Sequence, residues 1–278
     1  MVQIKIIQNI EEYTKYLDSV WAERNEVENH LALKHKGVEF DIVGYCLVCA
    51  KSSDFKITWS HSCGTIPNYR EHLLCQHCYL RNRQRFLIHY TDRLLTDTSK
   101  IYLYEETTQF YKEFIKRNSG ITVIGSEYLG EGIKSGTLIN NIRHEDALKT
   151  SFQNDSFDLI ISNDVFEHVA DIENVIIEAY RILKLNGRVL FSIPFHVSEY
   201  ETCQRARIEN NEIIHLKPPQ YHVNPVDEKG SLVFYDFGWD LLDLFRENGF
   251  RSVVMLNYYS MFYGHIGDAN QYIFEARK

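Results

Sequence analysis

The sequence predicts an α/β fold: a mostly parallel seven-stranded sheet preceded by a small four-cysteine module. Three observations lead there. From residue 100 onward, short apolar runs alternate with amphipathic segments, the pattern of βα units. Before that point stand two Cys-x-x-Cys pairs, Cys46/Cys49 and Cys75/Cys78. The length of 278 residues suits one large α/β domain with a small appendage.

Residues 8–34 are polar with a loose helical period through Ile10, Tyr13, Leu17 and Trp21, so 1–39 reads as an exposed helical lead-in. Residues 40–80 are rich in Cys, His, Ser and aromatics, hold no long helical pattern, and form the module. Phe86, Leu87, Tyr90, Leu94 and Leu95 mark a linking helix within 81–99. The domain 100–278 then offers strands at Ile101–Tyr104, Ile121–Gly125, Thr137–Asn141, Phe157–Ile161, Arg188–Ile193, Arg251–Leu256 and Tyr272–Ala276. Helices are expected at Gln109–Lys116, Ile172–Leu183 and Gly238–Glu247, the second stopped by Asn186-Gly187 and the third by Asn248-Gly249. Seven strands with a terminal pair suit a Rossmann-like sheet with one antiparallel edge strand.

Composition narrows the function classes. Hydrophobic residues make up 44%, an ordinary globular share. A net charge of −8 and a pI of about 5.8 argue against nucleic acid as the main partner, since phosphate binding needs a basic surface. No apolar run is long enough to span a bilayer, and the opening residues lack the layout of a signal peptide. A cytoplasmic protein is expected, in which free thiols or thiolate-bound metal prevail over disulfides. No sequence feature sets an oligomeric state.

Each Cys-x-x-Cys pair can place two thiolates on one metal from a tight turn, and Cys46, Cys49, Cys75 and Cys78 complete a tetrahedral zinc site. With four protein ligands no position is left for water, so this Zn2+ is structural. About forty residues bury little core alone, and metal binding would supply folding energy. His61, Cys63, His72 and His77 lie in the same stretch, but Cys63 has no paired partner.

The most informative segment runs Ser156-Phe-Asp-Leu-Ile-Ile-Ser-Asn-Asp-Val-Phe-Glu-His-Val169, followed by Ala179-Tyr-Arg-Ile-Leu-Lys-Leu-Asn-Gly-Arg-Val-Leu-Phe-Ser-Ile-Pro-Phe195. It resembles the class I S-adenosylmethionine-dependent methyltransferases of the type 11 kind, over roughly residues 100–278. In those, a strand opening with Phe-Asp leads to Glu-His, and a helix ending in Arg-x-Leu-Lys-x-x-Gly feeds the next strand. The chain departs from the family at the first strand, which runs into Glu105-Glu-Thr-Thr-Gln-Phe-Tyr111 without a glycine turn. A narrower likeness rests on Gly125-Ser-Glu-Tyr-Leu-Gly130, Ser162-Asn-Asp-Val-Phe-Glu-His168, Pro218-Pro-Gln-Tyr-His222 and Asp236-Phe-Gly-Trp239. It is similar to bacterial zinc-module methyltransferases often placed with glycosyltransferases. That likeness implies a sugar or surface-glycan precursor, or another small molecule, as acceptor.

The resemblance assigns S-adenosylmethionine to Glu105, Glu127, Tyr128, Asp146, Asn163, Asp164 and His168. Glu127 stands at the second strand tip, where a ribose hydroxyl acceptor belongs. Asp146 matches the family's adenine-side acid, and could equally cap a turn. Asn163 and Asp164 follow the fourth strand, at the edge where open α/β sheets bind ligands. His168 reads as a cofactor-side or packing residue rather than a base. The long stretch 195–237 reads as an acceptor-binding lid. Its His196 and His222 are the candidate catalytic residues, because imidazole suits proton removal near neutral pH. Two other readings stand beside this one. A zinc-ribbon RNA methyltransferase draws on the module and on Arg81, Arg83, Arg85 and Arg93. A non-catalytic binding protein would have lost cofactor affinity with the glycine turn.

Overall fold

The computed structural model describes residues 1–62, 64–224, 226–267 and 271–278; Cys63 and Pro225 lie outside the described residues. The strands are β1 (Gln3–Ile7), β2 (Phe40–Cys46), β3 (Lys51–Ile57), β4 (Leu73–Cys75), β5 (Lys100–Leu103) and β6 (Thr122–Gly125). Next come β7 (Leu138–Ile139), β8 (Ile142–Arg143), β9 (Phe157–Asn163) and β10 (Leu183–Ser192). They are followed by β11 (Cys203–Gln204), β12 (Ala206–Glu209), β13 (Glu212–His215), β14 (Tyr221–Asn224), β15 (Asp227–Leu232) and β16 (Tyr235–Asp236). The last are β17 (Ser252–Tyr259) and β18 (Tyr272–Arg277). The helices are α1 (Ile10–His35), α2 (Asn82–Thr91), α3 (Gln109–Arg117), α4 (Ile172–Ile182) and α5 (Asp240–Glu247).

The central sheet has seven strands in the order β1-β17-β18-β10-β9-β5-β6. β6, β5, β9 and β10 are mutually parallel. β18 runs antiparallel to β10, and β1 antiparallel to β17. The antiparallel strand β18 is therefore flanked on both sides rather than at the edge. Chain order reverses between β5 and β9: from β5 the chain goes outward to β6, then returns to β9 on the other side. That reversal is the topological switch point, the place where open α/β sheets bind ligands at the carboxyl ends of their strands.

The count of seven is reached by a different set of strands than the sequence suggests. The expected sheet strand Thr137–Asn141 is only the two-residue β7, paired with β8 in a hairpin. Asn140 and Asn141 both adopt left-handed backbone (φ 51° and 64°), which asparagine tolerates and which a tight hairpin turn requires. The missing strand survives as a single parallel bridge, Glu127 to His144. Its place in the count goes to β1, whose Gln3–Ile7 pairs in register with Tyr259–Met255. Helix α4 also stops at Ile182, before Asn186-Gly187. That dipeptide instead sits where the β10 register to β9 shifts between Leu183 and Arg188, with Asn186 left-handed (φ 69°).

The chain forms two compact units, 1–95 with 255–273 and 96–254 with 274–278. In the first, α1 begins at an Asn9 cap that accepts from the Glu12 N–H at 2.9 Å. Its buried Arg24 reaches Asn257 Oδ1 at 3.1 Å and lies over the Tyr259 ring. β2, β3 and β4 make a small antiparallel sheet. In the second unit, Phe110, Phe114, Phe157, Phe166, Phe191 and Phe245 are wholly buried and form an aromatic core about the parallel strands. Asp158 accepts from the Lys100 N–H and the Lys184 Nζ, each at 2.8 Å, tying the start of β9 to its neighbours. The stretch 195–237 is not an open loop. It folds into two successive hairpins, β12/β13 and β14/β15, enclosed by the pair β11/β16, and the left-handed Asn210-Asn211 turn favours the first hairpin. Among the described residues, no helix is long and apolar enough to cross a membrane.

Candidate functional site

The four cysteines of the two motifs come together in the first unit. Their sulfurs all lie within 4.8 Å of one another. Cys46 Sγ is 3.9 Å from Cys78 Sγ, and Cys49 Sγ is 3.8 Å from Cys75 Sγ. A tetrahedral zinc with bonds of about 2.3 Å has sulfur–sulfur edges of about 3.8 Å, so the spacing fits the metal. Each pair ends in a left-handed residue, Ala50 (φ 53°) and Tyr79 (φ 58°), which folds the chain back over its own cysteines. Ser53 Oγ and the His77 N–H lie 3.1 and 3.4 Å from Cys75 Sγ and would support it as a ligand. Burial and the negative charge of Cys46 and Cys75 push the Cys49 thiol up to about 12. All four could be thiolates together only with a cation among them. The wholly buried Arg85 donates to the carbonyls of Tyr263 and Gly264 and lies over Phe55, fixing the loop 263–264 beside the module.

The second constellation lies at the switch point. β5 runs through Tyr104 into Glu105, and β9 ends in Asn163, so parallel pairing brings both tips to one edge. Asn163 Nδ2 donates to Glu105 Oε1 at 2.5 Å, while Thr108, the cap of α3, donates to Glu105 Oε2. Asp164 is held left-handed (φ 50°) and accepts from Ser192 Oγ at 3.0 Å. One edge thus gathers Glu105, Asn163 and Asp164 from the ends of β5 and β9.

Glu127 explains how the turn after β5 works without glycine. Its Oε1 accepts from the Glu106 N–H at 2.8 Å, the Thr107 N–H at 2.8 Å and Thr107 Oγ1 at 2.7 Å. The carboxylate takes up two backbone N–H groups of that turn and so braces it. The close approach is supplied from the other side. A Cβ on Gly125 would stand 2.6 Å from the Glu105 carbonyl oxygen and 2.6 Å from the Tyr111 ring. Gly125, at the tip of β6, is what lets the two strand tips approach this closely. Beside it, half-exposed Tyr128 packs its ring 5.5 Å from that of the buried His144. Asp146 Oδ1 accepts from the Leu148 N–H at 2.9 Å, the bond of a turn-capping acid.

The acceptor-side expectations separate. His196 is exposed, four residues past the end of β10, and its N–H donates to the Phe237 carbonyl. No side-chain partner reaches it among the described residues. His222, on β14, instead faces His168 with rings in T-shaped contact at 5.0 Å. Both point at Glu167, wholly buried in a short 3-10 turn after β9. Sequence reasoning gave Glu167 no role. Its signal was present as an acid beside a histidine just past a strand, but only burial distinguishes it from a solvated acid. A cavity of about 280 Å³, lined by Ile172, Tyr200, Thr202, Asp240 and Asp243 among others, contains none of these residues. Sheet topology and hydrogen bonding identify the site better than that hollow.

Residues 110–191 match the family model described as a methyltransferase domain. The likeness is to the class I S-adenosylmethionine-dependent methyltransferases. The matched methyltransferase segment runs from α3 through β10 and contains Glu127, Asn163, Asp164 and Glu167. Among solved structures, a S-adenosylmethionine-dependent methyltransferase of Mesorhizobium loti is 15% identical with a TM-score of 0.44, covering 70% of this chain and 98% of that one. One from Methanosarcina mazei is 14% identical with a TM-score of 0.43, covering 68% and 96%. The fold assignment rests on strand order and pairing instead. No curated protein matches the chain.

Proposed function

We propose that this methyltransferase binds S-adenosylmethionine at the tips of β5, β6 and β9 and methylates a hydroxyl of a sugar or surface-glycan precursor. The observation that carries the reading is the junction of Glu105 and Asn163 where strand order reverses. The acids there suit a ligand that carries a positive sulfonium and ribose hydroxyls. When bound, S-adenosylmethionine supplies an electrophilic methyl group. Glu127 and the turn it braces would hold the ribose, with Tyr128 and Asp146 toward the adenine. Glu105, Asn163 and Asp164 would face the methionine end, and His168 the boundary with the acceptor.

The bound cofactor would supply the methyl group for in-line displacement, its carbon–sulfur electron pair staying on sulfur, while the acceptor hydroxyl would give its proton to a base. Positioning supplies much of such a rate. His196 and His222 are the candidate proton acceptors, and the carboxylate beside His222 favours the latter. In the first unit the four cysteines would hold a structural Zn2+. Thiolate ligation fits a reducing compartment such as the cytoplasm.

The test is transfer of a labelled methyl group to panels of hydroxyl-bearing sugars, glycan precursors and RNA. Label in the carbohydrate panel is expected. The net charge of −8 supports carbohydrate over RNA, and label confined to RNA would establish the alternative.

A further inference from the structure

We infer that Glu167, His168 and His222 form a second metal site, separate from the four-cysteine cluster, that takes a divalent first-row transition-metal ion. One ligand atom from each lies within 4.8 Å of the others. Glu167 Oε1 is 3.6 Å from His168 Nε2 and also 3.6 Å from His222 Nδ1. Those separations are too long for direct hydrogen bonds. They are close to the edge of about 3.4 Å that ligands make around a metal at about 2.1 Å. Glu167 has no exposed surface, and neither carboxylate oxygen has a hydrogen-bond partner among the described residues. A buried carboxylate without partners is costly unless something positive shares its space.

The surroundings choose what that is. His168 Nδ1 lies 2.8 Å from the Leu232 carbonyl oxygen. A carbonyl only accepts, so Nδ1 carries the proton, and in the neutral ring Nε2 is a bare lone pair aimed at Glu167. This is how metal-bound histidines are held: the outer nitrogen donates to a carbonyl, the inner one faces the ion. A single proton shared with one histidine would pull that pair to hydrogen-bonding distance. Equal separations and perpendicular rings describe a common centre instead. Gln220 Nε2 stands 3.3 Å from His222 Nε2. With Nδ1 on the metal, Nε2 carries the proton, and the Gln220 amide turns to offer its oxygen, an exchange of two groups of the same shape.

Two imidazoles and one carboxylate suit zinc, iron(II), cobalt(II) or nickel(II) rather than magnesium or calcium, which want more oxygen ligands. Three protein ligands leave a position open to an exogenous oxygen. If the methyl transfer proposed above holds, that oxygen would be the acceptor hydroxyl and the cation would ease its deprotonation, with His222 serving the same step as a ligand and the proton leaving to solvent.

The test is metal stoichiometry on the full chain, needing no methyl donor. Protein purified with zinc in its cysteine site is equilibrated with cobalt(II), and both metals are counted per chain. One zinc and one cobalt are expected, the cobalt without thiolate charge-transfer absorption. His222→Ala, on a partly exposed hairpin, and Glu167→Gln should each lose the cobalt and keep the zinc. Folding of both is checked by circular dichroism, and the wild-type count stands whether or not Glu167→Gln folds. Wild-type protein that takes up no cobalt at up to about millimolar concentration, or a folded His222→Ala that binds it as tightly, overturns the site. Metal uptake without S-adenosylmethionine binding would leave this inference standing and defeat the proposed function alone.

Discussion

The cysteine cluster and the strand-tip site are built in opposite ways. The cluster is assembled from two short motifs, each closed by its own left-handed turn, within one small antiparallel sheet. Its geometry is local and its ligands were set by spacing. The strand-tip site draws Glu105, Glu127 and Asn163 from the ends of three strands, brought together only by parallel pairing. The first region shows that a cluster of potential metal ligands can be read from a motif. The second shows that a site at a sheet edge needs the sheet first.

The largest expected effect breaks the local region. Cys75→Ser removes one of four ligands and the partner of Ser53. Elemental analysis should find zinc lost from the variant, and with it a binding free energy on the order of 10 kcal/mol that supports the fold of this unit. A folded variant retaining a full zinc would show that the cluster is not a four-thiolate site.

Next come the histidines, which sharpen the strand-tip side. His222→Ala should cut turnover by about 10²–10⁴ with S-adenosylmethionine affinity nearly unchanged. His196→Ala, at an exposed position without a side-chain partner, should change it far less. Equal losses in both would dissolve the distinction between them. Gly125→Ala tests the close approach of the β5 and β6 tips. Its Cβ meets backbone at 2.6 Å, so the domain should lose about 1–3 kcal/mol of stability in a denaturation curve. Glu127→Ala removes the brace of the turn after β5. Calorimetry should show S-adenosylmethionine binding weakened by about 1–3 kcal/mol. Unchanged affinity would mean that Glu127 serves the turn and not the ribose. The smallest effect belongs to Asp146→Ala, about 0.5–1 kcal/mol of stability from a lost turn cap.

Legibility in the sequence followed the same division. Each expected parallel strand but one lies within a few residues of its place, because buried βα units announce themselves by apolar runs. Thr137–Asn141 failed because apolar content says nothing of the Asn140-Asn141 turn that folds the segment on itself. Gln3–Ile7 escaped notice because only Ile7 of its five residues is buried, leaving no strong alternation. Within 195–237 the hairpins were hidden for a similar reason, with mostly exposed faces. The four cysteines were legible from spacing alone. Glu167 was not, since its importance lies in complete burial beside two histidines, one of them on a distant hairpin.

The measurement that bears most directly on the central claim is calorimetric titration of the full chain with S-adenosylmethionine. The acid-lined junction of Glu105, Glu127 and Asn163 predicts saturable binding of one ligand per chain, weakened in Glu127→Ala. A folded, zinc-loaded protein that gives no binding heat and no shift in melting temperature would contradict it. The edge where chain order reverses would then be a methyltransferase scaffold without its cofactor.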